Sequence, residues 1–523
     1  MCLCVLLGVA WHVIFPSPHP PPTPAPPLPN DPPATPSLAP SCPLPATAPC
    51  HPSATPILLT FVRYAITRRE SIMDNEIKWL WRTTQTEDFY ATYTISYQLT
   101  LATREPLLED HLRQALTHLF RKVPLLRVCF GKRDGEMWIR EMAEEALDFE
   151  VVSNVPREDI RESLQAYRYD LMKGPLWCVK LLSEPPSSPV VPEGVDMTKF
   201  CHVYTLFLGL HHGITDGNSN MRICGFLVQI LEAVLGRKDI DDAEQLGVYV
   251  SDERTQQLQK EYVASLEADP ELRSKVVDEI QSRYGKYSLI KSTFKGVGEK
   301  VAKTGVLEMD LDADSTIAFI KRCRAEGVTV NSAFIAATSV SVVDLLVDGG
   351  LEQDTYDIRS DHVLNARRYW AGDTSQYLGC HLLPLMPVVA KTPRNITGKF
   401  WDFARSVHQE LQKKFNEGGP LLEEAGRHFM SANTDFDPTF QYEFCLTNMG
   451  NVTNLVTEGG DNLQALHVIR TVAMNTVPCT WSILLHTFRS RLILALTYNT
   501  SFVNSEMARK FCDGIFYRIR EAL

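Results

Sequence analysis

The chain has 523 residues, 44% of them hydrophobic and 22% charged, which allows a large core and several domains of ~100–200 residues each. Its formal net charge of −11 argues against a nucleic-acid binder, which needs a cationic face to displace counterions. Its 13 scattered cysteines include no CxxC pair and no Cys/His cluster at zinc-finger spacing, so no metal site is expected and the thiols read as reduced, in the cytoplasm.

The first fifteen residues, "MCLCVLLGVAWHVIF", are apolar but too short for a membrane span, which needs ~20 residues. They also lack the basic start of a secretory signal, and a secretory or membrane-associated location through residues 1–15 is the alternative to the cytoplasm. Between Pro16 and Pro56 lie 18 of the chain's 33 prolines, a run that cannot build helix or sheet. Residues 1–64 therefore read as a leader and a disordered tail, and order begins near Ala65. From Phe89 to Ala102, "FYATYTISYQLTLA" alternates as a half-buried strand does. Leu108, Leu112, Ala115, Leu116 and Leu119 then recur at helical spacing until Pro124, and "LLRVCF" reads as a strand. Residues 136–152 add strands, and Arg157 to Tyr169 a short helix. A strand runs into His211, and after Asn218 the apolar residues Ile223, Phe226, Leu227, Ile230, Leu231, Val234 and Leu235 share one helical face, stopped by Gly236.

Residues 238–300 are charged and poorly periodic and read as a connector between two halves. The second half repeats the theme. "GVLEMDLD", "HLLPLMPVVA", "YEFCLTNMG" and "RLILALTYN" are predicted strands. Ala313–Ala325, Asn331–Leu346, Phe400–Phe415 and Ser505–Leu523 are predicted helices. Strands and helices alternate in both halves, so the class is α/β or α+β. The boundaries that follow are 1–64 for the tail, 65–237 for the first half, 238–300 for the connector and 301–523 for the second half.

The stretch with chemical content is "TLFLGLHHGITDGNSN", Thr205 to Asn220. On a persisting strand His211 and His212 point to opposite sides, so one can face the interior while the other packs elsewhere. Gly213 permits a tight turn. Asp216 can fold back onto backbone amides or a distant arginine, Gly217 gives close approach, and Asn218 or Ser219 can cap the next helix. A neutral imidazole is a good general base near pH 7. The chain has no HExxH and no GxSxG elbow, which leaves a base without a protein nucleophile. The chemistry that suits this is direct attack of a substrate hydroxyl or amine on an activated acyl group.

"HHGITDG" between an apolar strand and an amphipathic helix resembles the HHxxxDG motif of the chloramphenicol-acetyltransferase-like superfamily. That group includes CoA-dependent acyltransferases, alcohol acetyltransferases and peptide-synthetase condensation domains. Collinear with it, "LRQALTHLFRKVPLLRVCF", "VTVNSAFIAATSVSVV", "HVLNARRYW", "LGCHLLPLMPV", "CLTNMGNV" and the closing "LILALTYNTSFVNSEMARKF" are similar to other family segments, over roughly residues 70 to 523. The resemblance implies two similar subdomains, each a mixed sheet with packed helices, meeting around a solvent channel. It implies that His212 takes the acceptor's proton and that Asp216 pairs with an arginine, Arg367 or else Arg368. His211 would support the motif, Gly217 would let the acyl or pantetheine arm approach, and Thr447 and Asn448 would face the oxyanion. No cofactor is held permanently; acyl-CoA is the donor and a small alcohol or amine the acceptor. A carrier-bound thioester in trans, as in condensation domains, and a non-catalytic acyl-binding relative are the alternatives. Lys286, Lys291, Lys295, Lys300 and Lys303 are either candidates for the CoA phosphates or a solvated face of the linker. Two departures stand out: the plant DFGWG motif is missing, and Cys380 replaces the usual Asn after Gly.

Overall fold

The strand that carries the histidines, His202–His211, lies in the interior of a five-stranded sheet, where its near-continuous run of apolar residues is covered on both faces. The structure, a computed structural model, describes residues 77–523 apart from 92, 184, 187–188, 284–286, 431–441 and 476–478. The apolar leader and the proline-rich stretch lie outside the described residues.

The first sheet runs in the order Leu463–Val472, Thr94–Thr103, His202–His211, Trp177–Leu182, Phe149–Val152. Only its last pair is parallel. The second sheet has six strands, in the order Leu382–Pro393, Thr355–Asn365, Phe444–Asn451, Trp481–Phe488, Arg491–Asn499, Thr304–Leu311. Two of its pairings, on either side of Phe444–Asn451, are parallel and the rest antiparallel. The expected mixed α/β class is present, with two mixed sheets and helices packed on each. Its notable feature is the strand Leu463–Val472, which belongs to the second half of the sequence yet forms the edge of the first sheet through pairs such as Arg470 with Tyr97.

The helices follow their apolar faces. Glu109–Lys122 and Gly217–Leu235 interlock through Leu112, Leu116 and Leu119 on one and Ile223, Leu227 and Leu231 on the other, all in the first core. In the second half Val330–Asp348 is buried nearly all round, a core position that accounts for its mean hydropathy of 1.7. By length and composition it could cross a membrane, but 78% of its apolar window is buried within the protein. Ser341 on this helix meets Gly514 of Ser505–Glu521, where an added Cβ would come 3.1 Å from the hydroxyl.

Several sequence expectations change. The strand expected from Phe89 begins only at Thr94, because Thr84 and Glu87 form a capping box that winds Gln85–Tyr90 into a helix. "LLR" after Pro124 is a 3₁₀ turn, and the strand starts at Val128. The connector holds three helices, Glu253–Ala268, Pro270–Arg283 and Leu289–Thr293, whose polar surfaces hid the period. Thr355–Asn365, Leu463–Val472 and Trp481–Phe488 are strands that the alternation of polar and apolar residues did not reveal.

Candidate active site

Two consecutive histidines leave the end of the motif strand in opposite roles. The ring of His211 is 2% exposed and packs against Phe130 and Tyr169, with centroids 5.4 and 5.5 Å away. Its Nε2 donates to the Ala91 carbonyl at 2.8 Å, and its Nδ1 accepts from the Gly213 amide at 3.2 Å. Both nitrogens are occupied, and burial drives its pKa down to about 4. His211 is thus a neutral packing residue. An added Cβ on Gly213 would sit 2.9 Å from the Glu87 carbonyl and 2.9 Å from the His211 ring, so the tight turn leaves space for glycine alone.

His212 is 8% exposed. Its amide donates to Tyr93, and its Nδ1 lies 2.8 Å from the Thr215 carbonyl. A carbonyl only accepts, so Nδ1 carries the proton and Nε2 keeps a lone pair. Among the described residues Nε2 has no hydrogen-bond partner. Burial lowers the pKa of His212 below its ordinary 6.5, against the opposing pull of the Thr215 carbonyl and the Asp216 charge. The Tyr90 ring stacks on the imidazole with centroids 4.2 Å apart and planes at 27°. The short helix Gln85–Tyr90 thus delivers one wall of the site and Ala91 and Tyr93 the backbone acceptors. No feature of "HHGITDG" marks this partner, but Thr84 and Glu87, three residues apart, are a readable capping-box signal.

Asp216 is 1% exposed and does two jobs. One oxygen accepts from the Ser219 amide at 2.8 Å and caps the helix Gly217–Leu235, a role expected of Asn218 or Ser219 and filled by Asp216 instead. The other accepts from Arg367 Nη1 at 2.6 Å and from the His381 amide at 2.9 Å. Burial alone would raise this carboxyl, but the Arg367 guanidinium holds it below the usual carboxylate range. Arg367 also donates to the Ser219 hydroxyl and to the carbonyls of Tyr377 and Gly379. Arg368 is exposed and lies over the Phe415 ring. The result is a latch from the motif loop to the segment Arg367–His381. Ser219, expected only as a helix cap, and His381, which was not singled out from the sequence, complete it. Cys380 is buried in the same latch, its thiol raised by burial and by the Asp216 charge.

The other candidates are spread more widely. Thr447 has a buried hydroxyl with no partner among the described residues. Asn448 is committed, donating to Asn331 at 3.0 Å and accepting from the Gly450 amide at 2.9 Å. An added Cβ on Gly217 would meet Met449 Sδ at 3.3 Å, which puts the start of the motif helix beside this segment. Lys291 lies over the Phe502 ring and Lys303 pairs with Glu162, Lys295 and Lys300 are exposed, and Lys286 lies outside the described residues. Nine described cysteines are free thiols. Among the described residues no group of three or more His, Cys, Asp or Glu could hold a metal ion.

No protein-family model matches the sequence, and no curated protein matches it. Solved structures do match the fold. The epimerization domain from the third module of tyrocidine synthetase B aligns at 14% identity with a TM-score of 0.56, over 87% of this chain and 94% of its own. The TRI3 trichothecene 15-O-acetyltransferase from Fusarium sporotrichioides aligns at 14% and 0.57, over 82% and 91%. The condensation domain of the monacolin K polyketide synthase MokA aligns at 13% and 0.57, over 85% and 97%. At this identity the likeness speaks for fold alone, and by that measure the chain has the chloramphenicol-acetyltransferase-like fold that these condensation-type domains and the acetyltransferase share.

Proposed function

We propose that the protein is an acyltransferase that moves an acyl group from acyl-CoA to a hydroxyl acceptor, with His212 as general base. The observation that carries the reading is the tautomer of His212: Nδ1 is committed to Thr215 and Nε2 keeps its lone pair. In the proposed step the acceptor oxygen attacks the thioester carbon while Nε2 takes the hydroxyl proton. The tetrahedral intermediate then collapses, the C–S bond breaks, and the imidazolium returns the proton to the departing thiolate. The uncommitted Thr447 hydroxyl is the favoured donor to the oxyanion, with Asn448 the poorer candidate because its amide is engaged. A hydroxyl so placed is commonly worth ~2.7–4 kcal/mol in the transition state. Asp216 and Arg367 act at one remove: they hold the loop that holds His212.

A second reading is condensation-type transfer from a carrier-bound thioester in trans, favoured by the condensation and epimerization domains among the fold neighbours. Incubation with a mixed acyl-CoA pool and paired alcohol and amine acceptors, followed by mass spectrometry, tests both. Ester formed from free acyl-CoA supports the first reading. Product that forms only from acylated carrier protein supports the second, and binding without turnover would leave a non-catalytic acyl carrier. The free thiols fit a reducing compartment, and we propose the cytoplasm.

A further inference from the structure

Arg470 is a buried cation with no carboxylate. It is 5% exposed on the strand Leu463–Val472, and its Nη2 donates to the Thr447 carbonyl at 2.6 Å and to the Leu485 carbonyl at 3.1 Å. Its Nε is buried without an acceptor, and no ion pair reaches the guanidinium among the described residues. Arg161 and Arg367, buried to similar depth, face Glu308 and Asp216. Burial of a charge without compensation is costly, so the unmatched guanidinium calls for an anion from outside the chain. The pair of carbonyls fixes Nη2 and leaves Nη1 without an acceptor among the described residues.

Nη1 points toward the start of the motif helix. An added Cβ on Gly217 would lie 3.5 Å from it and 3.3 Å from Met449 Sδ, so glycine keeps the helix start within reach of the guanidinium. The helix is 19 residues long, and Asp216 caps only its Ser219 amide. The Gly217 and Asn218 amides have no intrahelical acceptor, and the helix dipole adds partial positive charge there. A guanidinium and a helix N-terminus thus converge on one small space next to the HHxxxDG loop.

We infer that Arg470 binds a carboxylate of the acceptor, so that the acceptor is a hydroxy acid or an amino acid rather than a simple alcohol. One guanidinium balances one negative charge, whereas a phosphate dianion would leave a buried surplus. Arg470 is then a substrate-contacting, specificity-determining residue. The identity of the acceptor rests on the acyl-transfer reading; the anion site does not.

The test has two arms. In the first, the full chain is titrated with hexanoate, hexanol and inorganic phosphate, and thermal stability is followed. Hexanoate raises the midpoint of the wild-type protein, hexanol does not, and the effect disappears in Arg470→Gln. In the second, thiol release from acyl-CoA is compared for a hydroxy acid and its methyl ester. The wild type favours the acid by about tenfold or more in kcat/KM, and Arg470→Gln loses the preference mainly through KM. Arg470→Lys restores part of it, which a role limited to joining the two sheets would not produce. If Arg470→Gln does not fold, Gly217→Val, which fills the space and leaves the guanidinium, loses hexanoate binding in its place. Hexanoate binding that survives in a folded Arg470→Gln overturns the assignment. So does stabilisation by phosphate alone, which would mark the phosphates of the donor. Hexanoate binding without thiol release from either acceptor would keep the anion site and reject acyl transfer.

Discussion

His212 and His211 are neighbours in sequence and differ in every respect that matters to a base. The pair and its spacing were legible as a motif, and the alternation of a strand already placed them on opposite sides. What the sequence could not supply was the hydrogen bond to the Thr215 carbonyl that selects the tautomer, since it depends on how the loop folds. Because burial lowers the pKa of His212, its neutral, competent form persists below the ordinary 6.5. The acid limb of kcat/KM is therefore expected below pH 6.5, and a limb at or above 7 would show that the titrating base is another group. His211→Ala should cost stability in denaturant, through the lost contacts with Phe130 and Tyr169, while leaving the position of that limb unmoved. Asp216→Asn removes the charge opposite a 5% exposed Arg367 and should destabilise by about 3–5 kcal/mol in urea unfolding. The family resemblance implies a pairing of Asp216 with Arg367 or else Arg368, and the contact is with Arg367, whereas the roles of Ser219 and His381 arise from contacts between distant segments.

At the scale of elements, the site depends on a helix of six residues. Gln85–Tyr90 is held by Glu87, whose carboxylate accepts from the Thr84 amide at 2.7 Å and from the Trp81 indole at 3.1 Å. Its last residue, Tyr90, covers the imidazole. Tyr90→Phe keeps the ring and should keep most of the activity. Tyr90→Ala exposes His212 to water, and its pKa should move back up toward 6.5, seen as a shift of the acid limb to higher pH. An unchanged pH profile in Tyr90→Ala would remove Tyr90 from the site. The long amphipathic helices were readable because a single apolar face repeats over several turns. The strands Leu463–Val472 and Trp481–Phe488 were not, because both faces are buried and the alternation is lost. The helices of the connector escaped for the opposite reason: most of their surface faces water.

At the scale of the whole molecule, the strand Leu463–Val472 binds the two halves into one folding unit. Calorimetry should show a single transition whose calorimetric and van't Hoff enthalpies agree, and two resolved transitions would contradict this. Burial holds His211, His362 and His467 at about 4 in the folded chain, against about 6.5 when unfolded. Between these values the unfolded chain binds more protons, so stability falls as pH drops from 6.5 toward 4. Glu87, raised to about 7 by burial, acts in the opposite sense between 4.5 and 7 and softens the decline. Chain composition gave no hint of this acid sensitivity, since it follows from where three histidines are buried. The proposed acyl transfer turns on one event, the transfer of the acceptor's proton to His212 Nε2. Its most direct test is acceptor-dependent thiol release by wild type and His212→Ala at matched folded concentration and thermal midpoint. His212→Ala should release thiol ~10²–10⁴-fold more slowly; release at the wild-type rate in the folded variant would show that another group takes the proton.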